Sequence, residues 1–185
     1  MPRLRCPRIS IGVLACVALT SVGLTPTSAA ATAPSSSVAI TSPADGHFAP
    51  YPGGSVTPLV VSGVITAGSC KYRQAIDDPH RSGGDTSIHG WWLKYSGTCP
   101  SKANVDVYLQ AYWCDFLGCR WVTVASGSGD FYQGGGSGRR ANAREGCSST
   151  ARLVGWRGFV DVDLIGVSDP SGYTYSVIKN LYCSP

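Results

Sequence analysis

Residues Asn104 to Ala125, NVDVYLQAYWCDFLGCRWVTVA, decide the fold. Val105, Val107, Leu109, Ala111 and Trp113 alternate with Asn104, Asp106, Tyr108, Gln110 and Tyr112. That period of two gives a strand one apolar face. A second β-rich run, Arg120 to Val124, follows the short loop Asp115-Phe116-Leu117-Gly118. The stretch reads as a β-hairpin with Cys114 and Cys119 flanking its loop. Strands paired there bring the two Cβ atoms to about 3.5–4.5 Å, the separation a disulfide needs.

The same period extends outward from the hairpin. Ile88 to Ser96 (IHGWWLKYS) reads as a strand before it, and Gly155 to Gly166 (GWRGFVDVDLIG) as a strand after it. In the latter, Trp156, Val160, Val162 and Leu164 share one face; Arg157, Phe159, Asp161, Asp163 and Ile165 share the other. Arg139 to Cys147 has the character of an edge strand, since its arginines discourage edge-to-edge pairing. Leu59 to Thr66 and Tyr173 to Tyr182 read as the first and last strands. Lys71 to Gly84 reads as a loop, and Ser126 to Gly138 as a long Gly/Ser turn carrying Phe131 and Tyr132. No amphipathic helix is evident. About seven short strands separated by turn signals give an all-β chain, an antiparallel β-sandwich of Ig-like architecture.

Three regions are expected. Residues 1–31 have the organisation of a signal peptide: Arg3, Arg5 and Arg8, then the apolar run Ile9 to Leu24, then the small residues Thr27 to Ala31. Residues 32–58, rich in Ser, Pro, Gly and Ala, read as a disordered arm. Residues 59–185 form the single folded domain. Three of the fifteen basic residues lie in the leader, so the remainder carries twelve basic against eleven acidic residues. That balance argues against nucleic acid, and against a membrane once the leader is cleaved. The localisation expected is secreted, extracellular.

Beyond the leader six cysteines remain: Cys70, Cys99, Cys114, Cys119, Cys147 and Cys183. An even number in an exported chain reads as three disulfides. With Cys114–Cys119 granted, three connectivities stay open for the other four, of which Cys99–Cys147 with Cys70–Cys183 is preferred because it pins the C-terminal strand.

Chemistry-bearing patterns are sparse. His80 and His89 lie near Asp77, Asp78 and Asp85 in DDPHRSGGDTSIHG; a His–carboxylate pair can orient a general base or begin a metal site. Asp77-Asp78-Pro79 has the plainer reading of turn chemistry. Asp161 and Asp163 read as a solvent-facing strand surface, short of the oxygen ligands calcium needs. The run Gly134 to Gly138 lacks the Lys-Ser/Thr of a phosphate loop and reads as a flexible hairpin connection. Arg139, Arg140, Arg144, Arg152 and Arg157 read as solvated strand positions. No catalytic residue, cofactor or metal is therefore expected.

The aromatics are more informative. Trp91 and Trp92 are adjacent, so one faces the core and the other outward. Tyr108 and Tyr112 flank Gln110 on the polar side of their strand, and Trp121 joins them. Exposed aromatics on a sheet stack on sugar rings or anchor protein interfaces. The expected function is surface recognition by a non-enzymatic, monomeric protein, with a polysaccharide or an extracellular protein as partner. Two alternatives stand beside it: a hydrolase inhibitor presenting Phe116 and Leu117 on the clamped 114–119 loop, and an extracellular structural component.

The segments CPSKANVDVYL (99–109), GRRANAREGC (138–147), GWRGFVDVDLIG (155–166) and NLYC (180–183) together resemble a group of small exported actinobacterial proteins with no assigned activity. The resemblance spans most of Gly90 to Cys183. It implies export and a β-rich fold, and no catalytic residue.

Overall fold

A computed structural model describes residues 46–54 and 63–185. The described residues contain no helix. Their strands run, in chain order, β1 (His47–Phe48), β2 (Ile65–Ala67), β3 (Cys70–Ile76), β4 (His80–Ser82), β5 (Asp85–Gly97) and β6 (Lys102–Asp115). Then follow β7 (Gly118–Tyr132), β8 (Ala141–Gly146), β9 (Ser149–Leu164), β10 (Thr174–Tyr175) and β11 (Lys179–Ser184).

All pairings are antiparallel and build two packed sheets, a β-sandwich. In sheet A, β6 lies between β7 and β9, β1 continues the β9 side of β6, and β10 and β11 line the far edge of β9. In sheet B, β5 is central, with β3 and β4 on one edge, β8 on the other, and β2 outside β3.

The hairpin is the one expected from its alternation. β6 pairs β7 from Lys102↔Tyr132 to Asp115↔Gly118, with Cys114 opposite Cys119. Ala103, Val105, Val107, Leu109 and Ala111 are wholly buried, while their neighbours are half-exposed. On β9, Val154, Trp156, Val160, Val162 and Leu164 are buried in the same layer. Sheet B closes the core with Tyr72, Ile76, Ile88 and Trp92. Full burial of one large apolar side chain stabilises a fold by about 1.5–3 kcal/mol, so these ten or more residues dominate the energetics.

Lys71 to Gly84, expected as a loop, instead contains β3 and β4. β3 hides from a hydropathy reading because one of its core-facing positions is Gln74, which is 1% exposed. Its amide is satisfied across the sandwich: Nε2 donates to the Gly172 carbonyl at 3.0 Å, and Oε1 accepts from Thr174 Oγ1 at 3.2 Å. Two residues away on the same face, the Tyr72 hydroxyl donates to Asp169 Oδ2 at 2.7 Å. Burial, reinforced by that carboxylate, raises the Tyr72 pKa. β3 thereby holds both ends of the 169–174 segment that leads into β10.

The Ser126–Gly138 turn is also corrected. β7 continues to Tyr132, and Gly127 passes against the backbone of Asn142 on β8, where a Cβ would collide. Gly127, which looks like a turn former, is therefore required by a close backbone approach. The Gly134–Gly138 run, expected to connect a hairpin, carries the chain from sheet A to sheet B.

Residues 46–54 depart from the expected disordered arm. β1 pairs His47 with Cys114 and Phe48 with Trp113. The Phe48 and Trp113 rings meet edge-on at 4.8 Å. Beyond β1, Ala49 N–H donates to Tyr112 O and Gly155 N–H to Ala49 O, both at 2.9 Å. Aromatic anchors and backbone pairing outweigh the turn-forming composition. The rest of the arm, the 1–31 leader and residues 59–62 of the expected Leu59–Thr66 strand lie outside the described residues; its end is β2.

Cys114–Cys119 is formed, but the preferred pairing of the other four is not: the bonds are Cys70–Cys99 and Cys147–Cys183. Strand register is the reason. Cys70 lies opposite Gly97, which places it beside Cys99 just past β5. The C-terminal strand pairs Ser184 with Ser149, which brings Cys183 to the turn holding Cys147. Three disulfides belong to an oxidising environment. Among the described residues no helix is long and apolar enough to cross a membrane.

Candidate functional site

The outer face of sheet A carries a continuous aromatic surface, and the strand register builds it row by row. Trp121 on β7 lies opposite Tyr112 on β6. The next row is Thr123, Gln110 and Arg157; the one after it holds Tyr108, Phe159 and Tyr175, on β6, β9 and β10. Directly opposed side chains on one sheet face interact. Tyr108 stacks on Phe159 with centroids 4.6 Å apart and planes 16° from parallel. Phe159 meets Tyr173 edge-on at 5.1 Å and Tyr175 at 5.5 Å. Tyr112 and Trp121 lie 5.0 Å apart.

Two further groups complete the surface. Tyr51 stands 5.2 Å from Tyr112 and 5.6 Å from Trp121. Its backbone N–H donates to Asn180 Oδ1 at 2.9 Å, and Asn180 Nδ2 donates back to Tyr51 O. Arg157 joins the two aromatic groups: its guanidinium lies 4.5 Å from the Trp121 ring centroid and 5.3 Å from that of Tyr175. Its Nε donates to Gln110 Oε1 at 2.8 Å. Burial among the rings lowers the Arg157 pKa, yet the group stays cationic at any physiological pH.

Carboxylates bound one end of this face. Asp106 lies opposite Asp161, and Asp163 opposite Asn104. Partial burial, then the neighbouring Asp163, raises the pKa of both Asp106 and Asp161. The Tyr108 hydroxyl is also shifted upward, by burial first and then by Asp106 and Asp161. The face thus runs from an aromatic–cationic centre to a hydrogen-bonding acidic end.

Of the residues expected at a binding surface, Tyr108, Tyr112 and Trp121 come together here. Trp92 does not belong to it: it is 1% exposed, and its indole N–H donates to Phe131 O at 2.9 Å. Trp91 is the outward member of the pair but lies on sheet B, under the Gly-rich connection. A Cβ on Gly135 would stand 2.8 Å from its ring. Phe116 and Leu117 form the hairpin tip, 73% and 78% exposed. The tip is braced by Asp115, whose Oδ1 accepts the Leu117 N–H at 2.9 Å and whose Oδ2 accepts from Arg120 at 2.6 Å. The arginines form no single patch: Arg144 pairs with Asp85 on sheet B, and Arg157 lies on sheet A.

Sequence reasoning missed Tyr51, Phe159, Tyr173 and Tyr175. For Phe159 the signal was present, since it alternates with buried Val160 and so shares the outward face with Arg157. Tyr173 and Tyr175 are brought in by the Gln74 and Tyr72 anchors, which no local pattern announces. Asp77, read as turn chemistry, converges with His80 and His89 on the outer face of sheet B. No protein-family model matches this chain, and no curated protein does so either.

Proposed function

We propose that this is an exported, monomeric, non-enzymatic binding protein whose outer sheet A face recognises polysaccharide. The observation that carries the reading is the unbroken aromatic surface from Trp121 through Arg157 to Tyr173, spread over four paired strands and left uncovered by either sheet. Tyr175 and Tyr173 are 42% and 59% exposed there. Ring faces stack on the apolar faces of sugars, and the adjoining Gln110, Arg157 and aspartates offer donors and acceptors to hydroxyls. The aromatic groups hold one another in place, so little side-chain entropy is lost on binding.

Depletion of the folded protein from solution by a panel of insoluble polysaccharides and cell-wall material tests this. Trp121→Ala should weaken retention about 5–150-fold, corresponding to loss of roughly 1–3 kcal/mol of stacking. Failure of every polysaccharide to retain the wild type, or full retention of Trp121→Ala, would overturn the reading. The exposed Phe116–Leu117 tip favours a second one, docking to an extracellular hydrolase. In that case Leu117→Asp abolishes inhibition while Trp121→Ala leaves it intact.

A further inference from the structure

Sheet B holds a separate constellation. One nitrogen or oxygen atom from each of Asp77, His80 and His89 lies within 4.8 Å of those of the other two. Asp77 follows the end of β3, His80 opens β4, and His89 lies within β5. The sheet fixes their arrangement. His80 is directly opposite Ser87, and His89, two residues along β5, shares that face. Asp77 is tied to β5 through its backbone: its N–H donates to His89 O at 3.1 Å, and its Oδ1 accepts the His89 N–H at 2.6 Å. The second oxygen, Oδ2, is thereby aimed at the imidazoles, 2.7 Å from His89 Nδ1 and 3.9 Å from His80 Nδ1. The two rings stack with centroids 5.4 Å apart.

We propose that Asp77, His80 and His89 form a binding site for a divalent transition-metal ion of the zinc type, with an outward coordination position left open. Two imidazoles and one carboxylate are a ligand set zinc takes, and three protein ligands leave room for a water or a partner's donor. With metal–ligand bonds of about 2.0–2.2 Å, ligand atoms on one tetrahedral ion lie about 3–3.5 Å apart. The separations of 2.7 and 3.9 Å bracket that range. The adjustment falls to His80, whose side chain is 43% exposed and whose Nδ1 would give up its 2.9 Å contact with Asp78 O. Lys179 pairs with Asp78 at 3.5 Å, leaving the Asp77 carboxylate to the ion. Ser87, opposite His80, is 2% exposed, and its hydroxyl has no hydrogen-bond partner among the described residues.

The test is calorimetric titration of the full disulfide-intact chain with Zn²⁺, paired with Co²⁺ absorption as a spectroscopic record of coordination geometry. The expected result is one ion per chain, with affinity lowered at least about 10–100-fold by His80→Ala and by His89→Ala, since loss of even an outer-shell partner of a metal ligand has an effect of that size. His47→Ala, on β1 of sheet A, should leave uptake unchanged. His80→Ala removes an exposed ring, so circular dichroism should show the fold intact. Absence of stoichiometric uptake, uptake unaffected by His80→Ala, or uptake lost with His47→Ala would each overturn the site.

Discussion

The two outer faces of this sandwich are made from the same strand geometry and are chemically opposite. On sheet A the outward face of β6, β7, β9 and β10 carries a half-exposed aromatic cluster, with Arg157 wedged between Trp121 and Tyr175. On sheet B the outward row of β4, β5 and β8 is ionic and imidazole-bearing, with Arg144 on Asp85 and His89 on Asp77. Of the aromatics on β5, Trp91 is covered by the Gly134–Gly138 connection, and Tyr95 is 59% exposed beside the Arg73 guanidinium. Burial fixes the inward residues of both sheets, so the difference lies wholly in positions that the core does not constrain. Those are the positions where function is written.

Adjacent tryptophans give the largest expected contrast. Trp92→Ala should cost about 3–5 kcal/mol, the usual price of hollowing a core at an aromatic residue, whereas Trp91→Ala should cost well under half of that. Chemical denaturation of the two variants measures the gap; equal losses would mean that Trp91 is as structural as Trp92. The disulfides sharpen the comparison next. Replacing Cys70 and Cys99, separated by 29 residues on sheet B, with serine should cost about 3–4 kcal/mol on the chain-entropy model. The same change at Cys114 and Cys119, separated by only 5, should cost about 2 kcal/mol.

Gln74 links the two sheets, because its amide holds the 172–174 segment that carries Tyr173 to the sheet A face. Gln74→Leu leaves Thr174 and Gly172 without their partner and should cost about 1–3 kcal/mol. Faster amide exchange at 172–176 would accompany it. The smallest effect concerns charge. The Asp161 pKa is raised in the fold, by burial and then by Asp163, so the native state holds that proton more tightly than the unfolded chain. Stability then falls as pH rises from the ordinary carboxylate range through the raised value. Asp161→Asn should accordingly be slightly more stable than wild type at neutral pH, and the advantage should vanish in acid, as thermal melts across pH will show.

How much was legible follows from where the apolar signal is local. The β6–β7 hairpin and β9 declare themselves because Val105, Val107, Leu109, Val160 and Val162 alternate without interruption. β3 does not, because buried Gln74 is satisfied by residues about a hundred positions away. The far half of β7 reads as a turn until β8 is seen against Gly127. The disulfide partners depend on register between distant strands, which cysteine spacing does not encode. For the site, Tyr108, Tyr112 and Trp121 were visible on one hairpin; Tyr51 and Tyr175 reach it only through tertiary pairing.

The most direct test of the central claim uses the indole N–H groups as reporters. Those of Trp92, Trp113 and Trp156 donate to Phe131 O, Asp115 Oδ2 and Cys183 O, which leaves Trp91 on sheet B and Trp121 on sheet A to be compared. Nuclear magnetic resonance of the labelled protein, titrated with soluble fragments of whichever polysaccharide retains it, follows both at once. The account predicts a saturable shift of the Trp121 resonance with Trp91 unmoved. A shift confined to Trp91 would place recognition on the opposite face and contradict it.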